Sequence, residues 1–246
     1  MSTLHLVRIP LGLRALAAFA LAEGADDDDR GYATHLALRR RFGAAAPQPF
    51  RMFGAEAAVP HLLGYATDVP ALLDAAALPC LEPRLEAVFP GAPAARPMPD
   101  TWRPGACYGF EVRARPIVRY GPQARGARMA EGRHGAAERD AFLAAVEKAG
   151  AGPVSREAVY AEWLTRQVAG AAVLDRVAVK AMRRLSTRRS PHGRPGPARI
   201  EGYDALFAGT LTVGDVEAFA RLLSRGVGRH AAFGFGMLAL APARPG

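Results

Sequence analysis

The chain has 246 residues, half of them hydrophobic, which suffices for one large domain or for two domains of roughly 100–120 residues. Its formal net charge of +9 comes almost entirely from arginine and favours a polyanionic partner, nucleic acid before membrane. No segment holds the roughly 18 unbroken apolar residues of a membrane span, so we expect no membrane contact. Only two cysteines occur, Cys80 and Cys107, which argues against a disulfide framework or a cysteine-rich zinc site and predicts reduced thiols in a cytoplasmic protein.

Residues 1–90 have the pattern of a first domain with the order β-α-β-β-α-β. Short apolar and alternating runs predict strands over 4–9, 48–53, 61–66 and 85–89. Helical patterns predict helices over 30–42 and 69–77, the second beginning after Asp68, and a helical or loop segment over 11–22. The acidic run over 26–29 is interpreted as a solvated loop whose charges favour the start of the helix that follows.

A proline-rich segment over 91–106 is predicted to be a linker, after which the pattern restarts over 107–246. Strands are predicted over 108–119, 173–185, 199–213 and 235–240. Helices are predicted over 138–149, 155–169 (with Ser155 as its N-cap) and 216–224, and an arginine- and glycine-rich loop over 121–135. The repeated order predicts an α+β fold class with two tandem ferredoxin-like (RNA-recognition-motif-like) βαββαβ domains.

One face of the predicted helix over 30–42 carries Tyr32, His35 and Arg39 at positions i, i+3 and i+7. A histidine near neutral pKa can move protons in either direction, and a tyrosine can donate a hydrogen bond. An arginine can hold charge, and Arg39 is predicted to contact RNA. Metal-free RNA cleavage must remove a proton from the ribose 2′-OH, deliver one to the leaving 5′-oxygen and stabilise the charge on phosphorus. These three side chains offer groups of those kinds. Without further context such a Tyr/His pair is more often structural. The other histidines and the acids form no paired ligand spacing, so we expect no metal and no cofactor.

Two basic features lie in the second half. Eight basic residues and no acidic one lie between Arg176 and Arg199, and the predicted RNA contacts there are Arg183, Arg184, Arg188, Arg189 and Arg194. A glycine-rich loop precedes the last strand, with predicted RNA contacts at Gly226, Gly228, Arg229, Gly234 and Gly236. The alternatives are a solvated hairpin edge and glycines that serve only the fold.

Substitution of single glycines separates these alternatives for the loop. Alanine at Gly226 or Gly228 is expected to weaken RNA binding while leaving the melting temperature near that of the wild type. Gly234 and Gly236 are expected to serve the fold, because they adjoin the apolar last strand. His230, within the same loop, could touch a phosphate, but the favoured interpretation is a polar loop residue.

An ordered set of sequence blocks resembles the CRISPR-associated repeat-RNA endoribonucleases, in particular the CasE type of the type I-E systems. The blocks cover nearly the whole chain: Tyr32-x-x-His35, Phe50-Arg51, the run over 110–116, Trp163-Leu164-x-x-Gln167, and Phe207-x-Gly209-x-Leu211-x-Val213-x-Asp215 leading into the glycine-rich loop. The linker and the loop over 121–135 look long for this family, so no residue there is assigned by resemblance.

The resemblance implies that Tyr32 and His35 are catalytic and that the basic hairpin engages the stem of a repeat stem-loop RNA. It implies cleavage at the 3′ base of the stem, giving a 2′,3′-cyclic phosphate and a 5′-hydroxyl, with the product retained beside the other subunits of the surveillance complex. The free protein is expected to be monomeric. Two alternatives stay open. One is a repeat-RNA-binding subunit without catalysis. The other is a generic tandem RNA-recognition protein, whose RNP pattern of aromatic residues the predicted first strands do not show cleanly.

Overall fold

Two four-stranded antiparallel sheets organise the chain. The structure is a computed structural model that describes residues 3–25, 30–54, 59–131, 137–150, 152–189 and 198–243, with the side chains of 186–189 and 198–201 left out of the description. The predicted acidic loop over 26–29 and the hairpin tip with Arg194 lie outside the described residues.

The first sheet has the strand order β2-β3-β1-β4, with β1 (His5–Pro10), β2 (Phe50–Phe53), β3 (His61–Ala66) and β4 (Ala94–Pro97). Its helices are α1 (Leu13–Ala22), α2 (Gly31–Phe42), α3 (Val69–Ala77) and α4 (Pro83–Val88). Alternate β1 side chains, Val7 and Ile9, are fully buried and belong to the same core as Leu16, Leu38 and Leu72. The helices pack against this face of the sheet because the packing removes apolar side chains from water.

Two predictions for the first half were wrong. Most of the segment predicted as a closing strand over 85–89 belongs to α4, which ends at Val88 and whose first residue is a proline, a residue well suited to the first turn of a helix. The closing strand is β4, inside the predicted linker, where it pairs with β1 at the sheet edge. All four β4 side chains are exposed, so no apolar alternation marked it. Because β4 belongs to the first sheet, we propose that the connection between the domains begins after Pro97.

The second sheet has the strand order β10-β5-β9-β8. Its elements in chain order, with the small two-stranded sheet β6–β7 inserted after β5, are β5 (Cys107–Ala114), β6 (Ile117–Arg119), α5 (Pro122–Ala130), β7 (Glu138–Asp140), α6 (Ala141–Ala149), α7 (Arg156–Val168), β8 (Ala172–Arg189), β9 (Ala198–Val213), α8 (Val216–Arg225) and β10 (Ala239–Pro242). Its core contains Val112, Leu164, Phe207 and Phe219, all of them fully buried.

The second half departs from the prediction in its irregular segments. The strand predicted over 108–119 is broken between β5 and β6, at Arg115 and Pro116. The segment predicted as a loop over 121–135 contains α5, and the helix predicted from residue 138 begins at Ala141, because β7 precedes it and Asp140 caps it. The last strand begins at residue 239 rather than 235. Ser155 caps α7 as predicted, accepting a hydrogen bond from the Ala158 N–H at 3.3 Å.

Both sheets place their first strand in the centre and their last strand at one edge, in the order expected for split βαβ units. The predicted α+β class with two ferredoxin-like sheets is confirmed. The two halves are joined by a hydrogen bond from the Tyr65 hydroxyl to the Leu238 carbonyl at 2.8 Å and by an ion pair between Arg51 and Glu111. Burial raises the pKa of Tyr65, which keeps its hydroxyl a donor. Over the described residues, no helix has the length and apolar character needed to span a bilayer.

Candidate active site and nucleic-acid interface

Helix α2 places the predicted catalytic pair on the face opposite its buried side. Ala33, Ala37 and Leu38 are buried in the first core, which leaves Tyr32 and His35 half-buried on the other face. The Thr34 hydroxyl donates to the Arg30 carbonyl at 2.9 Å, at the N-terminal end of the helix. Burial of Ala33, Ala37 and Leu38 therefore fixes the direction in which Tyr32 and His35 point.

The glycine-rich loop of the second domain completes this site. Phe233, in a 3₁₀ turn of that loop, meets the His35 ring edge-on at 5.3 Å between centroids, with an interplanar angle of 81°. It also lies 5.9 Å from the Tyr32 ring. Sequence reasoning missed Phe233 because an apolar residue in a loop carries no signal of a contact with a helix 198 positions earlier in the chain.

The electrostatics of His35 favour its neutral form. Burial, followed by the positive charge of Arg39, lowers the pKa of His35 below its ordinary value. A neutral imidazole at pH 7 can accept a proton as well as relay one. Arg39 is exposed, and no ion pair to a described residue is found for it. Both residues line a groove of 260 Å³, which offers space for a phosphate group beside the imidazole.

All four glycines of the loop have positive φ, between 73° and 84°. A Cβ at Gly236 would lie 2.4 Å from the Val227 carbonyl oxygen, and one at Gly226 would lie 2.9 Å from the Gly236 carbonyl oxygen. At Gly228 it would meet the Trp163 ring at 2.9 Å, and at Gly234 the Phe50 ring at 3.3 Å. The expectation that alanine at Gly226 or Gly228 leaves the fold undisturbed is therefore corrected. Each of these two glycines is needed by the fold, as was expected for Gly234 and Gly236.

Arg229 and His230 share one carboxylate. The Arg229 Nε donates to Glu138 Oε1 at 2.8 Å, and His230 Nε2 lies 3.1 Å from Glu138 Oε2. The His230 side chain is 7% exposed, so the interpretation of His230 as a simple polar loop residue is corrected: it is a buried partner of an acid. Sequence reasoning missed Glu138, which lies in a segment assigned to a helix. The contact of Arg229 with RNA stays a prediction.

The basic hairpin is a two-stranded ribbon that extends past its sheet. Strand β5 pairs with β9 only as far as Ala205, whereas β8 and β9 continue to pair from Arg183↔Asp204 to Arg189↔Ala198. The side chains of Arg183 and Arg184 are exposed. Arg188 and Arg189 lie near the described end of β8, where Arg188 is in register with Arg199. The ribbon thus carries a series of arginines beyond the edge of the sheet.

Among the described residues, no group of three or more histidine, cysteine, aspartate or glutamate side chains could hold a metal ion. The candidate site instead offers the imidazole of His35, the phenol of Tyr32 and the guanidinium group of Arg39. These groups can transfer protons and stabilise phosphate charge.

Comparison with solved structures finds this fold over nearly the whole chain. Thermus thermophilus Cse3 bound to an RNA representing a pre-cleavage complex is 20% identical, with 98% of this chain and 100% of that chain covered and a TM-score of 0.62. Cas6e from Escherichia coli str. K-12 is 20% identical, with 97% and 100% covered and a TM-score of 0.57. A chain of a CRISPR RNA-guided surveillance complex is 16% identical, with 98% and 100% covered and a TM-score of 0.52.

Comparison of the sequence with curated proteins gives no match. A family model described as "CRISPR associated protein" matches residues 4–242. That match spans both sheets, the helix with Tyr32 and His35, the ribbon and the glycine-rich loop. The predicted resemblance is confirmed at the level of family and fold, and the chain belongs to the family of CRISPR associated proteins.

Proposed function

We propose that this protein is a metal-independent endoribonuclease that cleaves CRISPR precursor RNA at the 3′ base of the repeat stem-loop and stays bound to the mature guide RNA in the cytoplasm. The observation that carries the proposal is the Tyr32/His35 pair, half-buried beneath the glycine-rich loop, with His35 lining an open groove. Structures of the same fold include a CRISPR endoribonuclease, Cse3, bound to a 19 nt RNA.

The reaction needs a group that accepts a proton, a group that donates one and a group that stabilises charge on the phosphate. The site contains side chains that suit these needs. The ribose 2′-OH loses its proton and its oxygen bonds to the adjacent phosphorus. The bond from phosphorus to the 5′-oxygen breaks, and that oxygen gains a proton, which leaves a 2′,3′-cyclic phosphate and a 5′-hydroxyl. Neutral His35 can accept or return a proton, Tyr32 can donate a hydrogen bond, and Arg39 can stabilise the charge of the phosphorane.

The ribbon supplies the second half of the proposal. Double-stranded RNA is recognised mostly through its shape and its phosphates, and a row of arginines along a projecting ribbon suits that contact. Because a chain of a CRISPR RNA-guided surveillance complex shares the fold, we propose that other subunits of such a complex are partners. The second candidate function is a repeat-RNA-binding subunit that uses the same ribbon without catalysis.

The experiment that tests the proposal is incubation of the wild-type protein with a stem-loop repeat RNA in excess EDTA. We expect one cut at the 3′ base of the stem, with a cyclic phosphate on the upstream fragment and a 5′-hydroxyl on the downstream one. Binding without cleavage, both in EDTA and with added Mg²⁺, would support the non-catalytic alternative. Cleavage that requires Mg²⁺ would reject metal independence.

A further inference from the structure

One acidic side chain ties the glycine-rich loop to the small sheet β6–β7. Glu138 lies at the start of β7, and its two carboxylate oxygens contact Arg229 and His230, which lie 91 and 92 positions further along the chain. Burial alone would raise the pKa of Glu138, but the charges of His230 and Arg229 and their hydrogen bonds outweigh it, so its pKa is lowered. The carboxylate is therefore ionised at neutral pH.

The strand that carries Glu138 is firmly held. The Trp163 indole N–H donates to the Ile117 carbonyl at 3.0 Å, which fixes β6 to α7. The Tyr160 hydroxyl donates to Asp140 at 2.6 Å, which fixes β7 to the same helix. Glu138 thus acts from a platform anchored in the core of the second domain rather than from a free loop.

The glycine-rich loop, in contrast, contains an unfavourable backbone conformation at His230. His230 has a φ of 67°, in the left-handed region that non-glycine residues seldom adopt. The Phe233 N–H donates to the His230 carbonyl at 2.8 Å, so His230 opens the 3₁₀ turn that carries Phe233. Backbone strain of this kind persists only where surrounding contacts impose it, and Glu138 provides such a contact.

A chain of contacts therefore runs from Glu138 through His230 to Phe233 and on to the rings of His35 and Tyr32. We propose that Glu138 is a positioning residue for the cleavage reaction: by holding His230 and Arg229 it sets the place of Phe233, which orients the catalytic pair. The inference rests on the proposed function. It gives β7 a role in the reaction although neither member of the proposed catalytic pair lies in that strand.

The test compares Glu138→Ala with Glu147→Gln in binding and in single-turnover cleavage at saturating RNA. Glu147 is a control because its carboxylate bridges two basic side chains, Arg128 and Arg139, as that of Glu138 bridges Arg229 and His230, but it does not contact the glycine-rich loop. We expect Glu138→Ala to lower the rate at saturation by about 10- to 100-fold, since misplaced groups cost that much. Its RNA affinity should stay equal or increase, because Arg229 loses its acidic partner. Glu147→Gln should keep the wild-type rate.

Two further variants show whether the effect passes through Phe233. Phe233→Leu should lower the rate at saturation in the same way, and the double variant with Glu138→Ala should be no slower than the slower single variant, because coupled residues are not additive. Glu138→Gln, which keeps an acceptor for the Arg229 Nε, should recover part of the rate. It also serves as the test if the alanine variant does not fold.

Hydrogen exchange of the free protein tests the same contact without RNA. Amides over 226–236 should exchange faster in Glu138→Ala than in the wild type, and their exchange should be unchanged in Glu147→Gln. Wild-type rate at saturation in Glu138→Ala, a loss of affinity in place of rate, or unaltered exchange would each overturn the inference. A wild-type protein that does not cleave would instead contradict the proposed function, and the exchange experiment would still decide the role of Glu138.

Discussion

Replacing His35 by alanine is expected to lower the single-turnover cleavage rate of a repeat stem-loop by about 10²–10⁴. The imidazole is half-buried against Phe233 and is held neutral by burial and by Arg39, as a group that exchanges protons with the substrate should be. RNA affinity should stay within a few-fold of the wild type, because the substitution removes none of the arginines proposed to bind RNA. Rates measured at saturating protein, beside a binding titration, give both quantities.

His61→Ala is the matched control for this substitution. His61 lies at the opposite end of β3 from Tyr65 and Ala66, which line the groove beside His35, and its ring stacks on Phe53. This variant should cleave at the wild-type rate. A His35→Ala protein that is folded and equally fast would move the active site away from α2, and a His61→Ala protein as slow as His35→Ala would show that the effect is not specific.

Removing charge from the ribbon should weaken binding more than it slows chemistry. For Arg188→Ala with Arg189→Ala we expect at least about a tenfold loss of affinity, because hydrogen bonds to charged groups contribute about 1.5–3 kcal/mol each. The slope of log affinity against log salt should fall by about one for each phosphate that the variant no longer binds. The rate at saturating RNA should stay near the wild-type value. Titrations at several salt concentrations measure the slope.

Arg14→Ala with Arg84→Ala removes the same charge from α1 and α4 of the first domain, where both side chains are exposed. This control should change affinity and salt slope little. If it matches the ribbon variant, binding depends on net charge alone. If the ribbon variant keeps both the affinity and the slope of the wild type, the ribbon is a solvated edge.

Local signals in the sequence were enough for much of the fold. The strand over 61–66 and the helix over 69–77 have the predicted bounds, because apolar side chains and the Asp68 cap mark them directly. The edge strand β4 was not predicted, because its side chains are all exposed and because its partner strand β1 is distant in sequence. The helix α4 was mistaken for a strand, since a short apolar run does not separate the two.

The residues of the candidate site were predicted in part, and their roles stay a prediction. A helix face spaced at i and i+3 is a local pattern, and it identified Tyr32 and His35, which the structure brings together under the loop. Phe233 and Glu138 could not be found in the same way. Each contacts a residue about ninety or more positions away, and such contacts exist only in the folded chain.

The proposed attack by a ribose 2′-OH can be tested most directly by removing that hydroxyl. A stem-loop repeat with a single 2′-deoxynucleotide immediately 5′ of the scissile phosphate should bind with unchanged affinity, because the stem and its phosphates are intact. We predict that the wild-type protein does not cut this RNA under conditions in which the all-ribose RNA is fully cleaved. Cleavage of the deoxy-substituted RNA at the same phosphate would contradict the mechanism assigned to Tyr32 and His35.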